Sequence, residues 1–228
     1  MNKMPLFRYL LLKGLPVGGA LAATSFFYTT RQIEFVPLPS SDPIFHSKYH
    51  RNYNPSGNPT IHDLHVRRIP FSQIDPVLLQ DKQKLLERYC GGVWAGLGFA
   101  IQRILLTCFY RSAATEKQLW SPSELLDSEF EPGTTIVDHF NVLEKSENSI
   151  LIRGGDVVSN QGLRPLDALM EVSVQVKPEE EVVEFGFKTL FFQGLGKAEG
   201  SLMPAPAVWL HEQYAKAMLV SGVRYVLK

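Results

Sequence analysis

Cysteine is nearly missing from this 228-residue sequence: Cys90 and Cys108 are the only two, too few for a disulfide framework or a cysteine-rich metal site. No Asn-x-Ser/Thr acceptor with a permitted middle residue occurs, because Asn54 and Asn58 are each followed by proline. Nothing here demands an oxidising compartment. An excess of one charge is also lacking. Lys+Arg and Asp+Glu number 23 each, which removes the overall footprint of a nucleic-acid binder, and no such partner is expected. There are no internal repeats and no complete catalytic signature, so architecture is easier to read than reaction. What is present is apolar. Hydrophobic residues make up 45% and aromatics 11%, enough for a real core and too much for disorder or a fibre. The length suits one domain with an appendage.

The charge is balanced only as a sum. Residues 1–68 hold eight basic and three acidic side chains, whereas residues 116–147 hold two basic and eight acidic. The first 33 residues carry Lys3, Arg8, Lys13 and Arg31 and no acid. They surround the apolar stretches Tyr9–Leu12 and Leu15–Tyr28, as a targeting or membrane-anchor segment over 1–35 would. A cleaved signal ending near Ala20-Leu21-Ala22, a basic organellar presequence and a retained membrane helix all fit. Lys13 interrupts the first, and Gly14 to Thr30 is short of the ~20 apolar residues of a span. The alternative is an apolar arm packed on the domain. Localisation is therefore expected at a membrane or in an organelle, and otherwise in the cytoplasm.

Residues 36–63 are dense in Pro, Asn, Ser and Gly and read as an irregular linker arm. The regular domain is expected over 64–228. Leu64–Phe71 reads as an edge strand because of Pro70. Asp75-Pro76 starts a helix that continues through Leu86 and Tyr89 to a stop at Gly91-Gly92. A more apolar helix follows over about 93–111, with Trp94, Leu97, Ile101, Leu105 and Cys108 on one stripe. Gln102 and Arg103 at its middle argue for burial against a sheet rather than in lipid. A helical turn at Ser123–Leu126 is capped by Ser121 or Ser123. The period then changes to two over Thr135–Glu144, Ser149–Val158, Ala168–Lys177 and Glu181–Phe192. Met170, Val172, Val174 and Val176 lie opposite Glu171, Ser173 and Gln175, which makes an antiparallel meander with one covered face. Pro206 to Gly222 closes the chain as an amphipathic helix. The class is α+β: a curved antiparallel sheet under two short helices and a long C-terminal helix.

That order, with Phe140-Asn-Val-Leu-Glu-Lys-Ser-Glu-Asn-Ser-Ile-Leu-Ile-Arg-Gly-Gly-Asp156, Gly162-Leu-Arg164 and Met170-Glu-Val-Ser-Val174, resembles the helix-grip fold of the START-like (SRPBCC) superfamily. The resemblance covers about residues 64–228. It implies a small hydrophobic or amphipathic ligand held between sheet and terminal helix, and no shared reaction.

Several constellations bear on function. His46, His50, His62 and His65, with Asp63, have spacings usable for zinc, but sit in an irregular, surface-like stretch, and no metal or cofactor is expected. Gly194 to Gly200 follows a strand with only one helix after it, so a lid over a cavity mouth is favoured over a nucleotide loop. Asp138 shares a face with Ile136, Phe140 and Val142. With His211 and Tyr214 it would supply acid/base groups to a cyclase or isomerase. Asp156 and Arg164 flank a glycine-rich connection, and either meet a ligand or fix the turn. Arg103 either awaits a ligand's anionic group or pairs within the protein. The apolar lining is expected from Phe140, Met170, Phe185 and Phe187 on the strands and Trp209 and Met218 on the last helix. Three functions follow: a ligand-binding module, an acid/base enzyme in the same cavity, and a membrane-attached adaptor whose acidic 116–147 segment meets a protein partner.

Overall fold

The computed structural model describes residues 24–228 and divides into two compact units, Met1–Gln32 and Ile33–Lys228. In the first, the chain is helical over 24–30. Most of the expected targeting segment, residues 1–23, lies outside the described residues.

In the second unit the period-two stretches form one antiparallel sheet. Its strands are β1 (Glu34–Phe35), β2 (Thr60–Pro70), β3 (Thr135–Ile136), β4 (Phe140–Lys145), β5 (Ser149–Gly154), β6 (Asp167–Lys177) and β7 (Val182–Phe192). They stand in the order β1-β2-β7-β6-β5-β4-β3. β3 to β7 are a meander, and β2 joins the far edge of β7 in the register Asp63 with Thr189, His65 with Phe187 and Ile69 with Val183. Alternation then sorts the faces. Met170, Val172, Val174, Phe185, Phe187, Ile150, Ile152 and Val142 point to one side and are buried there. Glu171 and Lys188 point to the other and pair at 3.0 Å. This is the α+β, helix-grip-like layout that the pattern implies.

The helices are α1 (Pro43–His46), α2 (Lys48–Tyr53), α3 (Pro76–Leu79), α4 (Lys82–Ala95), α5 (Leu97–Tyr110), α6 (Pro122–Leu126) and α7 (Ala205–Arg224). The stretch read as an irregular arm contains α1 and α2, capped by Asp42 and Ser47. Together with Phe45, Tyr49 and Tyr53, Ile44 forms a second small core on Leu169, Leu190 and Phe192, on the outer face of the sheet. The polar residues there end and fasten short elements. Asn58 donates to Gln193 O at 2.6 Å and Gly196 O at 2.9 Å and accepts from Ala198 N at 2.9 Å, so it holds the 193–198 loop expected to be a lid.

Two expectations about helix ends are overturned. Gly91-Gly92 does not stop α4, and Gly222 does not stop α7. A Cβ on Gly91 would stand 2.8 Å from Leu125 O, one on Gly92 2.8 Å from the Tyr225 ring, and one on Gly222 2.6 Å from Tyr89 and Val93. These glycines let helices touch. The actual break is Gly96, with ψ 178°, where Arg103 Nη1 donates to Trp94 O at 2.7 Å and Ala95 O at 2.9 Å. The expected burial of 93–111 therefore fails. Trp94 belongs to α4 and is buried, while Leu97, Ile101, Leu105 and Cys108 of α5 are exposed.

A Cβ on Gly98 would meet Ala217 O at 2.6 Å, whereas one on Gly200 meets nothing within 4 Å. Gly98→Ala should therefore destabilise the fold by about 1–3 kcal/mol despite its better helix propensity. Gly200→Ala should be nearly neutral, and urea midpoints measured on both variants check this.

Candidate functional site

The inner face of the sheet is not filled everywhere. A cavity of about 230 Å³ lies between β4 to β7, α5 and α7. Phe140, Ala168, Met170, Phe187 and Phe191 come from the strands, Gln102 from α5, and His211, Tyr214 and Met218 from α7. A larger groove of about 380 Å³ lies on the outer face between α1–α2 and β4–β5. It is edged by Lys48 and Glu144, an exposed pair 3.9 Å apart, and has none of the convergent buried polar groups that mark a binding site.

The inner cavity has such groups at one corner. Asp63 and His65 are two apart on β2 and so share its inner face, and Thr189 stands opposite Asp63 on β7. His211 reaches this corner from α7, with its ring edge-on to Phe191 at 4.6 Å. Asp63 Oδ2 lies 2.9 Å from His211 Nε2 and accepts from Thr189 Oγ1 at 2.9 Å. Asp63 Oδ1 is 3.2 Å from His65 Nδ1. Burial alone would raise the Asp63 pKa, but the hydrogen bonds and charges of His211 and His65 outweigh it and hold the carboxyl at about 2. An ionised carboxylate only accepts, so the protons stand on His211 Nε2 and His65 Nδ1. In the neutral ring of His211 the lone pair is then on Nδ1. His65 Nε2 is buried without a hydrogen-bond partner.

A second polar contact closes the cavity on the α5 side, where Tyr214 donates to Gln102 Oε1 at 2.7 Å. Burial pushes the Tyr214 hydroxyl above its usual range, so it is a donor at neutral pH.

Of the expected site residues, the fold brings together His211, Tyr214, Phe140, Met170, Phe187 and Met218 around the cavity. The others go elsewhere. Asp138 is not beside His211: Val137 and Asp138 take φ of 45° and 58°, making a left-handed turn that breaks the expected strand into β3 and β4. The Asp138 carboxylate accepts from Gln118 at 3.0 Å. Phe185 lies in the filled core against Tyr89, with centroids 4.9 Å apart. Trp209 is exposed on α7.

The three charged residues proposed for a ligand hold up the backbone instead. Arg103 caps the end of α4, as described. Arg164 donates to Gly154 O at 2.9 Å and Asn160 O at 2.7 Å. Asp156 accepts from Val157 N at 2.8 Å and Asn160 Nδ2 at 2.7 Å. Both therefore fix the 154–164 connection. At its base Arg153 and Asp167 form a buried pair at 2.6 Å, and Arg153 lies over the Tyr53 ring. The histidines do not converge. His50 bonds Phe45 O, and His46 bonds Ser40 O. Among the described residues no group of three or more His, Cys, Asp or Glu could hold a metal.

Thr189 is the site residue that the sequence analysis passed over, and Asp63 and His65 entered it only as members of the clustered-histidine stretch. Starting β2 at Leu64 left Asp63 in the arm. Extending the strand back by four residues would have put Asp63 and His65 on the covered face, where a polar pair stands out. The sequence matches no protein-family model, and no match is found among curated proteins or solved structures.

The depressed pKa makes a stability prediction. With the Asp63 carboxyl at about 2 against an ordinary 3.8, its contribution is complete above pH 3.8 and disappears as pH falls through about 2. Asp63→Asn should cost about 2 kcal/mol at neutral pH. Denaturant unfolding of both proteins across pH should show that gap closing between pH 3.8 and 2.

Proposed function

We propose that this chain binds a small apolar or amphipathic molecule in the inner cavity. The observation that carries the reading is the cavity itself, a largely apolar chamber between sheet and terminal helix with one hydrogen-bonding corner at Thr189 and His211. Such a composition suits a ligand whose body is hydrocarbon and whose single polar group meets that corner. No lysine or arginine lines the chamber, and Thr189 Oγ1 and His211 Nε2 already donate to Asp63, which favours a neutral hydroxyl that can donate over a carboxylate. At about 230 Å³ the space is below the roughly 300–1,000 Å³ of drug-sized sites, so the ligand is small. The reading agrees with what the resemblance to the START-like superfamily implies. The acid-free, basic N-terminal segment adds association with a membrane.

A second reading, an acid/base enzyme of the cyclase or isomerase kind, draws on the Asp63–His211 contact. A carboxylate that fixes the Nε2 tautomer of a histidine leaves Nδ1 as a base, and Tyr214 lines the same cavity with its proton held by Gln102. Asp63 takes the place first given to Asp138.

Uptake of a fluorescent apolar probe, together with native mass spectrometry of the purified chain, tests both readings. Ala168→Leu pushes a branched side chain into the cavity and should weaken probe binding about ten-fold or more, since overfilling costs roughly 1–3 kcal/mol. Unchanged uptake in that variant would refute the site. If a co-purifying molecule is converted on incubation, His211→Ala should stop conversion while probe binding persists. Conversion that continues in His211→Ala leaves binding as the function.

A further inference from the structure

We propose that the outward face of α5 docks on a lipid bilayer that contains anionic lipid. Leu97, Ile101, Ile104, Leu105 and Phe109 are 78%, 76%, 60%, 52% and 77% exposed. With Cys108 they follow the i, i+4, i+7, i+8, i+11, i+12 spacing of one helical face. The stripe runs the whole of a helix about 20 Å long. Single exposed apolar residues need no explanation, but a contiguous run of this kind marks an interaction surface.

The chemistry of the helix points to lipid. Apart from Tyr110 at its last position, whose ring packs edge-on against His139 at 4.4 Å, its hydrogen-bonding side chains are turned inward or bonded to the backbone. Arg103 caps α4, Gln102 accepts from Tyr214, and Thr107 donates to Arg103 O at 2.7 Å. The face therefore offers nothing to the hydrogen bonds that a protein interface contains. It also strands no polar group in hydrocarbon.

Its ends carry positive charge. Arg224 is exposed and lies beside Leu97 around a shallow pocket, and Arg111 is exposed one residue beyond Tyr110. Arginines at both ends of an apolar stripe match the phosphates of anionic headgroups above the acyl boundary. The N-terminal segment gives a second, separate signal. It has four basic residues and no acid in its first 33, and Phe27 and Tyr28 are exposed with Arg31 stacked on Tyr28 at 3.9 Å. Stable attachment to a membrane takes two such signals. Among the described residues no single helix is long and apolar enough to cross a membrane, and α4 and α5 pass together only as a pair bent by 60°; because α4 is buried in the core, α5 would lie in the interface.

The full chain tests the proposal. Cys108 is exposed and Cys90 is buried, so a thiol-reactive, environment-sensitive dye marks α5 alone. Vesicles of phosphatidylcholine with phosphatidylserine should float the protein and shift the dye emission to the blue, and phosphatidylcholine alone should do so more weakly. Ile101→Ser/Leu105→Ser/Phe109→Ser should keep its circular dichroism and lose vesicle affinity about ten-fold or more. Flotation without a dye shift would mean that the N-terminal segment binds while α5 stays in water, which overturns the proposal. So would the absence of flotation, or a shift without lipid that dilution reverses, which would assign the face to a second copy. Ala168→Leu separates the two readings, since it should lose probe uptake and still float.

Discussion

Four glycines set the distance between α7 and the two helices beside it, and the shape of the inner cavity follows from that distance. Gly92 and Gly222 bring α4 and α7 together where a Cβ on either would overlap the other helix, and Gly96 and Gly98 do the same for α5 against Ser221 and Ala217. Ser221 Oγ accepts from Gly98 N at 2.8 Å, supplying the first turn of α5 with the cap that its own Gly96 lacks. The C-terminal half of α7 is pinned in this way. Toward its N-terminal half the facing residues are Met218, Tyr214 and His211 instead of glycine, and the helix stands off the sheet by the size of those side chains. The cavity is the space that they do not fill.

The same sheet face explains how a carboxylate survives there. Asp63 is nearly inaccessible, and an unpaired charge in that position would neutralise itself. It stays ionised because three donors converge on it from three elements: His65 on its own strand, Thr189 on the neighbouring strand and His211 on the covering helix. The polar corner is therefore a tertiary product. It also ties α7 to β2 and β7, at the end of the helix where no glycine contact does so. The buried arginines are occupied in another way. Arg103, Arg153 and Arg164 all donate to backbone carbonyls, leaving the cavity without a cation.

Most of the sheet was legible because alternation in β6 and β7 is strict and the turns between strands are polar. The long strands matched to within a few residues, and the cap at Ser121 and the start at Asp75-Pro76 are local signals that local chemistry decides. What was not legible depends on contacts distant in sequence. A glycine pair reads alike whether it ends a helix or lets another helix approach, and Gly91-Gly92 needed Leu125 and Tyr225 to decide between them. Asp138 kept the strand period on paper, but two left-handed residues turned it toward Gln118. The arm at 36–63 was misread because short helices on a sheet are made mostly of caps, and caps are Asp, Ser, Asn and Pro. In the candidate site, His211 and Tyr214 were visible as polar residues on a helix. Asp63 was visible only as a neighbour of clustered histidines, and its place on the sheet was hidden because nothing local tells where a strand with a polar start begins.

The bend at Gly96 joins these themes. Residues 89–110 form one apolar run with a single charged side chain, Arg103, and no straight helix carries it. Instead the axis turns by 60°, so that α4 keeps Leu85, Leu86, Tyr89, Val93 and Trp94 on the sheet while α5 crosses α7 at its glycines. After the turn, the two polar side chains at the middle of α5 face the protein: Arg103 folds back on the end of α4, and Gln102 meets Tyr214 at the cavity. Residues that argued against a lipid environment are thus the ones that α5 hides. The arrangement leaves an apolar face outward because its polar positions are needed inward, to cap one helix and to close one cavity.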